Sequence, residues 1–135
     1  MRRKRNLLFV YGTLKRGFGN HDLLYRARFI GNAVTKHKYA LYESGIPFVY
    51  PFEEVSQIKG EVYEVDRETL ECIDALEGHP FWYRRQQVPV ILESGREVTA
   101  WIYFYPERVG TLNVTGEYTG GFPEEEVEEN LQWWF

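Results

Sequence analysis

Between Val98 and Tyr105 the chain alternates with a period of two. Val98, Ala100, Ile102 and Phe104 fall on one side, and Thr99, Trp101, Tyr103 and Tyr105 on the other. Successive side chains of a strand point to opposite faces of its sheet. A sheet with one wet face carries polar residues there. Here both faces are apolar or aromatic, so both meet other parts of the protein. Whatever this chain folds into has to cover a strand on two sides.

Other segments supply the partners. Leu7 to Tyr11 is short and continuously apolar, the pattern of a buried strand, and Gly12 ends it. Asn20 is placed to cap a short helix that includes His21, Leu23 and Leu24. Phe29 to Leu41 has strand character. Gly45, Pro47 and Pro51 make the stretch around Phe48 to Tyr50 irregular or an edge. Ile58, Gly60 and Val62 alternate with Lys59, Glu61 and Tyr63, as in a half-buried strand. Tyr83 to Leu92 reads as a strand interrupted at Pro89 by a bulge or an edge, with a turn at Ser94-Gly95.

One helix stands out, from Asp66 to Glu77. Asp66 is a good N-cap, and Glu68 places negative charge in the first turn. Leu70, Ile73 and Leu76 recur at helical spacing. Gly78 suits the position past the helix end, and Pro80 blocks continuation. A second helical signal, Pro123 followed by Glu124 to Glu126, opens a tail in which Val127, Leu131 and Trp134 line one face. The pattern predicts an α+β fold, a small mixed β-barrel of about six or seven strands with a few short helices. It also predicts one domain over residues 1–135, with a basic extension at 1–6 and a helical tail at 123–135.

Composition narrows the function. Aromatic residues make up 17% of the 135 residues, enough to build one core without disulfide or metal. The net charge of -4 lacks the basic balance of a nucleic-acid-binding domain. The basic start, Arg2 to Arg5, reads as a solvated terminus. The single cysteine, Cys72, fits a reducing compartment and reads as a small buried residue of the helix. The apolar run at Leu7 to Val10 is too short for a secretory signal, and no stretch is long enough to span a membrane. His21, His37 and His79 are far apart and form no metal-ligand pattern. The expectation is a cytoplasmic protein without metal, cofactor, nucleic-acid or membrane partner.

Glu77 is anomalous. A carboxylate at a helix C-terminus faces the negative end of the dipole, where cations are favoured. Local rules of this kind are broken more often at functional sites than elsewhere. From the pattern alone, an exposed glutamate at a fraying helix end fits better than a functional one. The same holds for Tyr11-Gly12-Thr13-Leu14, a turn whose amides can cradle an anion but which also fits an ordinary strand end. Asp74 lies three residues before Glu77 on the same helix and reads as a solvated surface residue.

The run Tyr11-Gly12-Thr13-Leu14-Lys15-Arg16-Gly17, with Asn20-His21 after it, resembles the opening motif of the gamma-glutamylcyclotransferase-like (AIG2-like) superfamily. The extended motif is most similar to the gamma-glutamylamine cyclotransferase branch. Leu76-Glu77-Gly78, followed by Tyr83-Arg84-Arg85, resembles the segment that carries the catalytic glutamate of the superfamily. The likeness runs from about Leu7 to Tyr105. It implies a barrel with a cavity at one side. It also implies a reaction in which the α-amine of a small γ-glutamyl substrate attacks its own γ-carbonyl, releasing 5-oxoproline and an amine. In that scheme Glu77 is the general base. Tyr11, Gly12, Thr13 and Leu14 form the substrate cradle, and Tyr83 orients Glu77 or the substrate. The resemblance reverses both readings made from the pattern alone. A non-catalytic module that binds a small carboxylate would keep the turn but would not need Glu77. The tail, ending in Trp133-Trp134-Phe135, packs on the barrel, joins two copies as a homodimer or docks a partner; its sequence is compatible with each.

Overall fold

The computed structural model describes residues 6–12, 14–15 and 21–120. Seven strands, one α-helix and a 3-10 turn run in the order β1 (Asn6–Val10), the 3-10 turn (His21–Leu24), β2 (Arg28–Glu43), β3 (Pro47–Tyr50), β4 (Ser56–Val65), α1 (Arg67–Glu77), β5 (Arg84–Leu92), β6 (Glu97–Phe104) and β7 (Thr111–Asn113). The basic start, Asn20 and the tail from Gly121 onward lie outside the described residues, as do the expectations attached to them.

Five strands close a mixed barrel. Neighbours run β4-β1-β6-β5, and β2 pairs with both β4 and β5 to complete the circle. All these pairings are antiparallel except β1 with β6, where Leu8 sits opposite Trp101 in parallel register. The closed sheet leaves these strands few free edges. At its far end β2 leaves the barrel, and its last residues pair with β3 on one side and β7 on the other. The segment around Phe48 is therefore a regular edge strand, joined to β2 by a turn with Gly45 at positive φ.

The length of β2 is bent by register shifts, one of them between Val34 and Lys38. Thr35 repairs the ladder there. Its fully buried hydroxyl accepts the Ile58 N–H at 2.9 Å and donates to the His37 carbonyl at 2.7 Å. Pro89 causes no bulge. It lies opposite Thr99 in an unbroken β5–β6 register, and pairing with β2 starts only at Val90. The missing N–H thus falls where β5 is an edge.

The alternation of β6 is realised on both faces. Ala100, Ile102 and Phe104 are buried in the core, with Leu8, Val10, Ile58, Val62 and Val90. On the other face Tyr103 is equally buried and reaches α1, while Trp101 is half-buried beneath the Arg85 guanidinium, 4.2 Å from its ring.

Helix α1 begins and ends as its sequence requires. Asp66 accepts the Thr69 N–H at 2.7 Å. Gly78 adopts φ 67°, and its N–H and that of His79 return to Ala75 and Asp74. The buried face differs from the expected one. Leu70, Ile73 and Glu77 are buried, whereas Leu76 is half-buried. Spacing of three and then four keeps Glu77 on the inner stripe of the helix and carries Leu76 away from it. Cys72 is exposed rather than buried, because its place on the helix turns it away from the buried stripe of Leu70, Ile73 and Glu77.

Candidate active site

Glu77 occupies a position that packing would assign to an apolar residue. It is 2% exposed, and neither carboxylate oxygen has a hydrogen-bond partner among the described residues. A charge without a partner in such a place is costly. Burial accordingly pushes its pKa well above the ordinary glutamate range. A carboxylate with a raised pKa is a stronger base once ionised, and its free lone pairs are available to an incoming donor.

Tyrosines surround it. Burial pushes the Tyr11 hydroxyl well above its ordinary pKa, and the Glu77 charge pushes it the same way. Tyr83 is raised by burial first, then by the neighbouring Tyr11 and Glu77. Tyr103 is raised by burial, by its bond to Asp74 and by the charges of Asp74 and Glu77. All three remain neutral donors. Tyr11 donates to the Tyr103 carbonyl at 2.6 Å, Tyr83 to the Pro47 carbonyl at 3.0 Å and Tyr103 to Asp74 Oδ1 at 2.6 Å.

The chain places these groups by local means. After α1 the polypeptide turns tightly at Gly78, whose carbonyl accepts the N–H groups of Phe81 and Trp82. The Tyr83 N–H then returns to the Glu77 carbonyl at 3.2 Å, which holds Tyr83 beside the helix end. Tyr11 arrives from the opposite direction, just past the last residue of β1. Beyond it the turn is closed by the Lys15 N–H donating to the Gly12 carbonyl at 2.9 Å. The buried Lys15 ammonium donates to the Tyr118 carbonyl at 2.8 Å, and the His21 ring lies 3.0 Å from the Leu14 carbonyl. Lys15 and His21, both part of the recognised motif, thereby pin the turn.

A cleft of about 380 Å³ has Glu77 in its wall, together with Ile46, Phe48, Ala75, Leu76, Gly78, Trp82, Tyr83, Tyr105 and Val109. Its aromatic residues brace one another. Phe48 and Tyr83 stack with centroids 5.8 Å apart, and Tyr105 meets both edge-on. Glu77, Tyr11 and Tyr83, expected to belong together, do share one neighbourhood. Tyr11, Gly12 and Leu14 are buried but do not line this cleft, and Thr13 lies outside the described residues.

Several contributors were missed. Asp74 is not a solvated surface residue. Its side chain is 15% exposed and takes a two-pronged ion pair from Arg85, at 2.7 and 2.9 Å, besides the Tyr103 bond. Such planar, charge-assisted pairs are among the stronger ones. This one ties the last turns of α1 to β5 and β6. The even alternation of β6 placed Tyr103 on a covered face, but nothing local said that α1 covers it. Among the described residues no group of three or more His, Cys, Asp or Glu side chains could hold a metal ion, and no helix is long and apolar enough to cross a membrane.

Known proteins resemble this chain in sequence and in fold. A gamma-glutamylcyclotransferase of Methanocaldococcus jannaschii, so named provisionally, is 54% identical over 112 residues, 82% of this chain and 93% of the relative. Gamma-glutamylaminecyclotransferase C of Danio rerio is 37% identical over 110 residues, 71% of this chain and 72% of the relative. The crystal structure of an AIG2-like protein from Mus musculus superposes with a TM-score of 0.79 at 28% identity, covering 91% of this chain and 94% of that one. The family profile itself matches residues 8–122, from β1 through the barrel and past β7, and the chain belongs to the gamma-glutamyl cyclotransferase, AIG2-like family.

Proposed function

We propose that this protein is a gamma-glutamyl cyclotransferase that releases 5-oxoproline and a free amine from a γ-glutamyl amine or γ-glutamyl amino acid. The observation that carries this reading is the Glu77 carboxylate, buried, without a hydrogen-bond partner among the described residues, and part of a cleft wall.

The chemistry follows from what such a group can do. The substrate α-amine must lose a proton before it can attack. Glu77 takes that proton as general base. The α-nitrogen then bonds to the γ-carbonyl carbon and gives up its second proton, the bond from that carbon to the leaving nitrogen breaks, and the departing amine takes up both protons, leaving as an ammonium and returning Glu77 to its carboxylate form. No co-reactant is needed. Both reacting groups belong to one molecule, so the protein's work is to hold the cyclising rotamer. Backbone amides of the Gly12-Thr13-Leu14 turn are the proposed anchor for the substrate carboxylate or the developing oxyanion. Tyr83, fixed beside Glu77 by its backbone bond, orients the base or the substrate. A module that merely bound a small carboxylate would be hindered by a second carboxylate at this place.

The test is mass spectrometry of the pure protein incubated with a panel of γ-glutamyl amines, γ-glutamyl amino acids and glutathione. The expected result is catalytic release of 5-oxoproline from at least one class. Binding without release from any of them would refute the enzymatic reading.

A further inference from the structure

Two strands and the end of the helix meet at one carboxylate. Asp74 lies about one helical turn before Glu77. It takes the Arg85 guanidinium of β5 at 2.7 and 2.9 Å and the Tyr103 hydroxyl of β6 at 2.6 Å. Both partners are themselves fastened. Arg85 lies over the Trp101 ring, and its backbone N–H donates to His79 Nδ1 at 3.2 Å. Tyr103 accepts the Tyr11 hydroxyl on its own carbonyl at 2.6 Å. The Asp74 carbonyl accepts the His79 N–H at 3.0 Å, which fixes the turn after Glu77. An unbroken run of contacts therefore leads from Tyr11, just past β1, through Tyr103 and Asp74 to the turn of α1 that carries Glu77.

We propose that Asp74, Arg85 and Tyr103 are positioning residues for the proton transfer at Glu77. They fix the last turn of α1 relative to the end of β1, and Arg85 neutralises the carboxylate that lies one turn from the base. The inference rests on the cyclotransferase reading and adds to it the groups that aim the base. All three act through Glu77.

Geometry sets the first demand. A general base works at about 2.6 to 3.2 Å from the atom whose proton it takes. A misplacement of about 1 Å can cost about 10²-fold in rate. Glu77 is the last residue of its helix, and helix ends fray. A shift of that size would lose the base while keeping the fold. The clamp at Asp74 removes this freedom one turn before the end, and its planar fork fixes direction as well as distance. Charge sets the second demand. A like charge nearby disfavours the ionised form of a carboxylate. An Asp74 carboxylate without its guanidinium would keep Glu77 protonated to higher pH, and Arg85 opposes this. The other ionisable groups packed around this helix end are the phenols of Tyr11, Tyr83, Tyr103 and Tyr105 and the His79 ring. They stay the same in the charge variants below.

The experiment uses the γ-glutamyl compound from which the wild-type protein releases most 5-oxoproline. It follows kcat, KM and their pH dependence well below the melting temperature of every variant. Tyr103→Phe removes the tie to Asp74 and leaves the Asp74 and Arg85 charges in place. It should lower kcat at least about tenfold, keep KM within about threefold, and leave the acid limb of kcat/KM where the wild type has it. Arg85→Gln leaves the Asp74 charge unmatched. Its acid limb should move to higher pH, and adding Asp74→Asn should bring the limb back. A role in stability alone would lower the melting temperature and move neither kcat nor the limb. Wild-type kcat in Tyr103→Phe would overturn the inference while leaving the cyclotransferase reading standing. So would an acid limb that stays in place in Arg85→Gln or fails to return in the double variant. Failure of every γ-glutamyl compound to yield 5-oxoproline with the wild-type protein would instead refute the cyclotransferase reading, and this inference with it.

Discussion

Replacing Glu77 with glutamine separates its chemical role from its structural cost. Glutamine keeps the shape of the side chain but cannot take up a proton. General bases are typically worth about 10² to 10⁴ in rate, so turnover should fall by that order. Stability should move the other way. The pKa of Glu77 is raised by burial in the folded protein, whereas in the unfolded chain it lies near the ordinary value of about 4.3. Below that pH both states hold the proton and the group costs nothing. As the pH rises through it, the unfolded state ionises first, and the folded state loses stability until its own raised pKa is passed. Glutamine escapes this loss. The negative helix end alone contributes about 0.3 to 1 kcal/mol, and up to about 2 kcal/mol where partly buried. With an unfolding entropy of about 2.1 cal/mol/K per residue, 1 kcal/mol shifts a chain of this length by roughly 3 to 4 °C. Glu77→Gln should therefore melt about 1 to 7 °C higher than wild type at pH 8, with the gap closing near pH 4. Differential scanning fluorimetry over that range, with turnover measured on the same samples, provides the test. A variant within about threefold of wild-type turnover would falsify the role of Glu77 as base. A variant less stable than wild type at pH 8, or a stability gap that does not change with pH, would refute the argument from a buried unpaired charge.

Three further outcomes follow from the geometry. The acid limb of kcat/KM against pH should lie above the ordinary glutamate range, because burial raises Glu77; a limb at about 4.3 or below would contradict this. Tyr103→Phe removes the 2.6 Å bond to Asp74 and should cost about 1.5 to 3 kcal/mol, the usual worth of a hydrogen bond to a charged group; an unchanged denaturation midpoint would show that the bond contributes nothing. Gly78→Ala forces a side chain into the left-handed region and toward the Trp82 ring, and should cost at least about 1 to 2 kcal/mol; a melting temperature equal to wild type would refute the strain.

Local signals were sufficient for much of this protein. The caps of α1, the turn at Gly78, the edge position of Pro89 and the two covered faces of β6 all follow from residues close together in the chain. Their causes are local: a side chain that accepts a nearby N–H, a missing N–H, a permitted φ, a period of two. The motif from Tyr11 to Gly17 and the Leu76-Glu77-Gly78 segment carried the family in the same way. Only the tertiary structure decided what those elements meet. The parallel pairing of Leu8 with Trp101 joins residues far apart in the chain. The pairing of Asp74 with Arg85 and Tyr103 depends on α1 lying across β5 and β6, so a residue that looked solvated is enclosed. Cys72 and Leu76 were placed too far inward because helical spacing gives the period of a buried stripe but not its rotation about the helix axis. That rotation is set by what the helix packs against, and here it puts Glu77 on the inside. A glutamate at a helix end breaks a local rule in the sequence but reads there as exposed; the tertiary structure buries it without a described hydrogen-bond partner, among Tyr11, Tyr83 and Tyr103.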